Sequence, residues 1–214
     1  MNSTAAPQWH SGTETTTPTR HRPDGVRWAD GVRWADGIPQ PDLSPAQTRA
    51  LSAAHEAGHA VIGQVRGLSL AYIALKGALG CPADTGGYTA WQADSFQHAT
   101  WQAAAQTLAA GERAADRWLR EAGLWTPSLG WICEYSGDTD REMASTLAQA
   151  LPRPFRITWG TQPGSDADWS TVCHQADRLL TEHWHIVVAV VRHLLAHGRI
   201  DEQQFAACLP GGAR

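Results

Sequence analysis

His55, Glu56 and His59 stand within AAHEAGHAVIG, a stretch of small apolar residues that gives two imidazoles and a carboxylate no packing reason to be there. Residues four apart share one face of a helix, so His55 and His59 can both aim a ring nitrogen at a single ion. Glu56 starts one position on, near such an ion without being needed as a ligand. The HExxH pattern therefore points to zinc-dependent hydrolysis. In such a site the two histidines would hold zinc, and Glu56 would take a proton from the water that zinc activates and pass it to the leaving amine. The plainer reading is a pair of core histidines bonded to backbone or water, with Glu56 in a salt bridge. Burying three such groups without a cation is costly, which favours the metal.

A metal site needs a rigid carrier, and the flanking sequence supplies one. Ser44 can cap a helix, Pro45 suits its first position and Gln47 can close a capping box; the helix then runs to about Val65, where Gly67 can end it. Ala53, Ala54, Ala57, Gly58 and Ala60 are small enough for other elements to pack closely against it. LSLAYIALK at 68–76 and GGYTAWQ at 86–92 read as strands beside Gly-rich turns. The glycine pair of the second leaves space for another backbone, so an extended peptide could add along that edge. Phe96 to Gly123 reads as helix with an interruption near Gly111, and Asp138 or Thr139 starts another that ends before Pro152. The last long helix is expected over about Asp168 to His197, with Ala176, Leu179, Val187, Val190 and Leu194 on its buried side and Gly198 as its stop. The expected fold class is mainly α with a small β-sheet.

A chain of 214 residues with 43% hydrophobic content can build one core, which we expect over residues 44–214. Residues 1–43 are rich in Thr, Pro, Gly and Asp without apolar periodicity and are expected to form a disordered tail. Within that tail VRWADG occurs twice in tandem, at Val26 to Gly31 and Val32 to Gly37, too short for a repeat fold. The net charge is −4 and Arg is not gathered into a stripe, which argues against nucleic acid as a partner. The longest strongly apolar run, Ile186 to Val191, is far below the roughly 20 residues a membrane span needs. Cys81, Cys133, Cys173 and Cys208 form no CxxC pair, and the N-terminus lacks a secretory pattern, so free thiols in a reducing cytoplasm are expected.

AAHEAGHAVIG, then a strand, then GGYT resembles the peptidase domain of FtsH-type zinc metalloproteases. The resemblance covers about residues 47–205, and is looser away from HEAGH. It implies a zincin-like, mainly helical metallopeptidase domain in which an Asp on a later helix is the third protein ligand. SGDTDREMAS, Ser136 to Ser145, is similar to the family's Gly-Ala-Ser-Asn-Asp-Leu-x-x-Ala-Thr segment, which would put Asp140 on the metal and Arg141 in the place of Leu. AAGERAAD at 109–116 likewise resembles its Gly-Gly-Arg-Ala-Ala-Glu stretch. Asp138, Glu134 and Glu112 remain alternatives to Asp140. The family also implies a peptide or unfolded-protein substrate and a homo-oligomer.

The family's ATP-driven unfoldase has no counterpart here: there is no GxxxxGK[ST] loop, and the only Lys is Lys76. The expected activity is that of a zinc endopeptidase acting on flexible peptides or unfolded segments, ATP-independent by itself. The alternative is a catalytically silent peptidase-like zinc protein that binds peptides or a partner. His193 and His197 also stand four apart, with His183 and His185 upstream, but no acidic residue accompanies them in the HExxH manner. Cys133 lacks an adjacent base and matches no cysteine-peptidase signature.

Overall fold

Ser44 opens the first helix by the reciprocal bonds its sequence predicts. In this computed structural model, which describes residues 9–11, 21–23, 43–76 and 86–209, helix α1 spans Pro45–Val65. The Ser44 hydroxyl accepts from the Gln47 N–H at 3.3 Å, and the Gln47 side chain accepts from the Ser44 N–H at 2.8 Å. Such a cap contributes about 0.5–2 kcal/mol and fixes where the HEAGH turn falls. The helix ends at Arg66, and Gly67 follows with φ +85°, the left-handed backbone that stops a helix. Before α1, strands β1 (Trp9–Ser11) and β2 (His21–Pro23) pair antiparallel within the stretch expected to be tail; the tandem VRWADG lies outside the described residues.

Both predicted strands form. β3 (Leu70–Leu75) is the middle of a three-stranded antiparallel sheet, with β4 (Gly87–Trp91) on one side and β5 (Arg199–Asp201) on the other. Ile73 sits opposite Thr89 and Ile200, which sets the face of β4 that meets α1. The helix expected over 96–123 is divided, but not where expected. A short α2 (Ser95–His98) ends at Ala99, Thr100 caps α3 (Trp101–Glu121), and α3 runs unbroken through Gly111. Helix α4 (Pro127–Ser136) was not foreseen, although Thr126 caps it and Pro127 opens it. α5 (Asp138–Ala150) starts at the expected Asp138, and α6 (Trp169–His197) follows its Asp168 cap and stops at Gly198 with φ +74°. On α6 Ala176, Val187, Val190 and Leu194 are buried as expected, whereas Leu179 is only half-buried and its neighbour Leu180 is the one turned into the core. Helix α7 (Glu202–Cys208), opened by an Asp201–Gln204 capping box, completes the described chain.

α1 is the centre of the packing, with α3, α6 and the sheet around it. Ala57, Ala60, Val61, Ile62, Leu70, Ile73, Ala110, Leu194 and Ile200 share one core cluster. Each large aliphatic side chain buried there contributes about 1.5–3 kcal/mol. The α1–α3 approach depends on Gly58, since a Cβ there would lie 2.4 Å from the Ala110 carbonyl oxygen and 2.6 Å from Ala114 Cβ. That closeness brings the backbone of α3 within reach of His59. Among the described residues no helix is long and apolar enough to cross a membrane, and Cys133, Cys173 and Cys208 are free thiols.

Candidate metal centre

Four elements meet around the HEAGH turn. α1 presents His55 and His59, the first turn of α5 presents Asp140, α3 lies alongside through Gly111 and Thr107, and β4 brings Thr89 to Glu56. His55 Nε2 and His59 Nε2 are 3.0 Å apart, and Asp140 Oδ2 lies 3.4 Å from the first and 3.3 Å from the second. A tetrahedral zinc site with ligands at its usual nitrogen and oxygen distances has ligand–ligand separations of about 3.3 Å. The three atoms therefore already sit as one face of such a site. Among the described residues this is the one group of three His, Cys, Asp or Glu side chains that could hold a metal ion.

A backbone carbonyl orients His59. His59 Nδ1 lies 2.8 Å from the Thr107 carbonyl oxygen and donates to it, so that in the neutral ring the Nε2 lone pair is the one directed at the site. The two rings stand edge to face, with centroids 4.6 Å apart and planes at 82°. Room for them comes from Gly111, where a Cβ would fall 2.3 Å from His59 Nε2 and 2.7 Å from His55 Nε2. The Gly111 position, read from sequence as a break in the helix, is instead a gap in its side-chain surface.

Charge within the group follows from burial and proximity. Burial by itself lowers the pKa of His59, but the Asp140 carboxylate beside it outweighs that and raises it to about 9. Burial opposes ionisation of Asp140, yet the imidazoles of His59 and His55 hold its carboxyl well below the usual carboxylate range. Without a cation, His59 is thus protonated at neutral pH and paired with Asp140. A metal binding there must displace that proton.

Glu56 is buried, and its Oε2 accepts from the Thr89 hydroxyl at 2.7 Å. The same hydroxyl reaches the Glu56 backbone carbonyl at 3.1 Å. The backbone of β4 comes close because Gly87 has no side chain; a Cβ there would lie 2.5 Å from Glu56 Cγ. Thr89 and Gly87 thus fix the carboxylate, a role that no spacing in the sequence announced.

None of the other candidate ligands joins the group, and two of them are engaged elsewhere. Asp138 accepts from Arg141 at 2.8 Å. Glu112 accepts from Arg141, from Trp169 Nε1 at 3.1 Å and from Cys173 Sγ at 3.3 Å. Glu134 is buried with neither carboxylate oxygen hydrogen-bonded, and burial followed by the nearby Glu112 pushes its pKa well above the usual range. Cys133 is buried and its thiol is pushed up, chiefly by burial, so it is no thiolate nucleophile.

His193 and His197 lie with ring centroids 4.3 Å apart, but no third ligand joins them among the described residues. The sequence matches no family model and no curated protein, so the geometry of the site carries the functional argument.

Proposed function

We propose that the protein is a zinc-dependent endopeptidase, of the FtsH-type peptidase fold, acting on flexible peptides or unfolded segments without ATP of its own. The observation that carries the reading is the convergence of His55, His59 and Asp140 within 3.4 Å of one another, from helices far apart in sequence, with Glu56 adjoining. His55, His59 and Asp140 would hold the ion. Zinc so bound polarises a scissile carbonyl and lowers the pKa of water.

What the chain's own residues do can be stated separately. Thr107 keeps the Nδ1 proton on His59, so Nε2 stays available. Asp140 balances cationic charge in the group. Thr89 holds Glu56 in one rotamer, so its carboxylate stands ready to accept a proton and return it to the leaving nitrogen, the role of a general base and then acid. The outer edge of β4 has no strand partner among the described residues, and an extended peptide pairing there would run past Glu56.

A second reading, a peptidase-like zinc protein that binds peptides without turnover, is favoured by one observation. Glu56 is buried, with one carboxylate oxygen already bonded to Thr89. Hydrolysis of a mixed peptide library, with and without chelator, separates the two. The endopeptidase reading expects chelator-sensitive cleavage that falls about 10²–10⁴-fold in Glu56→Gln while metal content stays unchanged. Metal-replete protein that cleaves nothing would leave the binding reading.

A further inference from the structure

Neighbouring residues on two helices face opposite tasks. On α3, Gly111 makes room for the imidazoles while Glu112 points to α5; on α5, Asp140 reaches the imidazoles while Arg141 points back to Glu112. Glu112 and Arg141 are both buried. The guanidinium bridges three elements at once, bonding the Glu112 carboxylate on α3, the Glu134 carbonyl in the last turn of α4, and Asp138 at the start of α5. On the far side Glu112 is fixed to α6 by Trp169 and Cys173.

The junction needs such a fixture. α4 ends and α5 begins at the single residue Gly137, which gives α5 no side-chain cap. A Cβ at Gly137 would lie 2.4 Å from Glu112 Oε2, so the bend is moulded onto that carboxylate. An uncapped first turn frays readily, and Asp140 lies in it.

We propose that Arg141 is the positioning residue of the metal centre: clamped by Glu112, Asp138 and the Glu134 carbonyl, it holds the first turn of α5 where Asp140 meets His55 and His59. The inference rests on the metal reading of that group. A buried ion pair is weak grounds for stability, since an apolar or neutral pair of similar shape often replaces it without loss. Its contribution here is placement of a ligand one residue away.

The test uses the full chain with zinc or cobalt(II) alone as the probe. In Glu112→Gln/Arg141→Met both charges leave together, so no unpaired charge stays buried. Thermal melting of the metal-free protein is expected to stay near that of the wild type. Zinc affinity, measured by chelator competition, is expected to fall 10–100-fold, as for other outer-shell partners, and the cobalt(II) visible spectrum to change. Arg141→Lys keeps the charge but not the three-way fork, and is expected to fall between the two. Either variant binding zinc with wild-type affinity and giving a superimposable cobalt spectrum overturns the inference while leaving the metal centre intact. Wild-type protein that binds neither ion overturns both.

Discussion

Two pairs of histidines in this chain share one spacing and differ in almost everything else. HEAGH on α1 and HLLAH on α6 each place imidazoles one helical turn apart. In the first pair a backbone carbonyl fixes the tautomer of His59, Gly111 leaves room for both rings, and a carboxylate from another helix completes the group. In the second, His197 is exposed at the C-terminal end of its helix, His193 Nε2 is buried without a hydrogen-bond partner, and no third ligand arrives among the described residues. Spacing offers two candidate ligands in each pair, and the surrounding packing brings a third only to the first.

Breaking the first pair should have the largest effect. His59→Ala removes a ligand and leaves Asp140 without its main cationic partner; bound zinc after dialysis, measured by elemental analysis, is expected to fall from about one equivalent to background, and hydrolysis with it. Gly111→Ala comes next, and the direction is informative. Alanine in a helix interior normally stabilises by up to ~1 kcal/mol relative to glycine. Here the added methyl meets both imidazoles, so denaturant unfolding is expected to show a loss of about 1–3 kcal/mol together with weakened zinc binding. An increase in stability would remove the packing argument.

Smaller effects sharpen the contrast. Thr89→Val keeps the shape of β4 and removes the bond that orients Glu56. The expected result is an approximately tenfold loss of turnover with metal content intact, in line with about 1.5 kcal/mol for one bond to a charged group. Glu134→Gln tests whether that carboxyl is kept neutral. Its folded pKa lies above its unfolded one, so the native group binds a proton that the unfolded chain has released, and stability falls as pH rises from the unfolded value towards the folded one. The melting temperature of Glu134→Gln relative to wild type is therefore expected to be higher at pH 8 than at pH 4; an equal difference at both would count against the neutral acid. His197→Ala should be the least consequential, leaving metal stoichiometry and activity unchanged.

Much of this was legible along the chain, and the exceptions have physical reasons. Helix α1 was readable because Ser44, Pro45 and Gln47 are local signals and local bonds answer them. α6 was readable for the same reason, from Asp168 to Gly198. The two imidazoles needed only helical periodicity. The third member of the group did not follow from any spacing, since Asp140 is more than eighty positions from His59 and reaches it through the α4–α5 bend. The similarity of SGDTDREMAS favoured Asp140 over Asp138, Glu134 and Glu112, which were eligible by type, and in the folded chain Asp140 is the one beside both imidazoles. No spacing connects Arg141 with Glu112, and the fold pairs them. Helix α4 escaped because it is short and apolar, although Thr126 and Pro127 marked its start. Gly111 misled because glycine in a helix reads as a weakness until a neighbour is seen to need the space.

The central claim is that one cation is held by His55, His59 and Asp140. An anomalous difference map recorded above and below the zinc absorption edge, on crystals of the protein as purified, tests it most directly. A single strong peak is expected within bonding distance of His55 Nε2, His59 Nε2 and Asp140 Oδ2. The absence of a peak there, or a peak lying instead between His193 and His197, would contradict it.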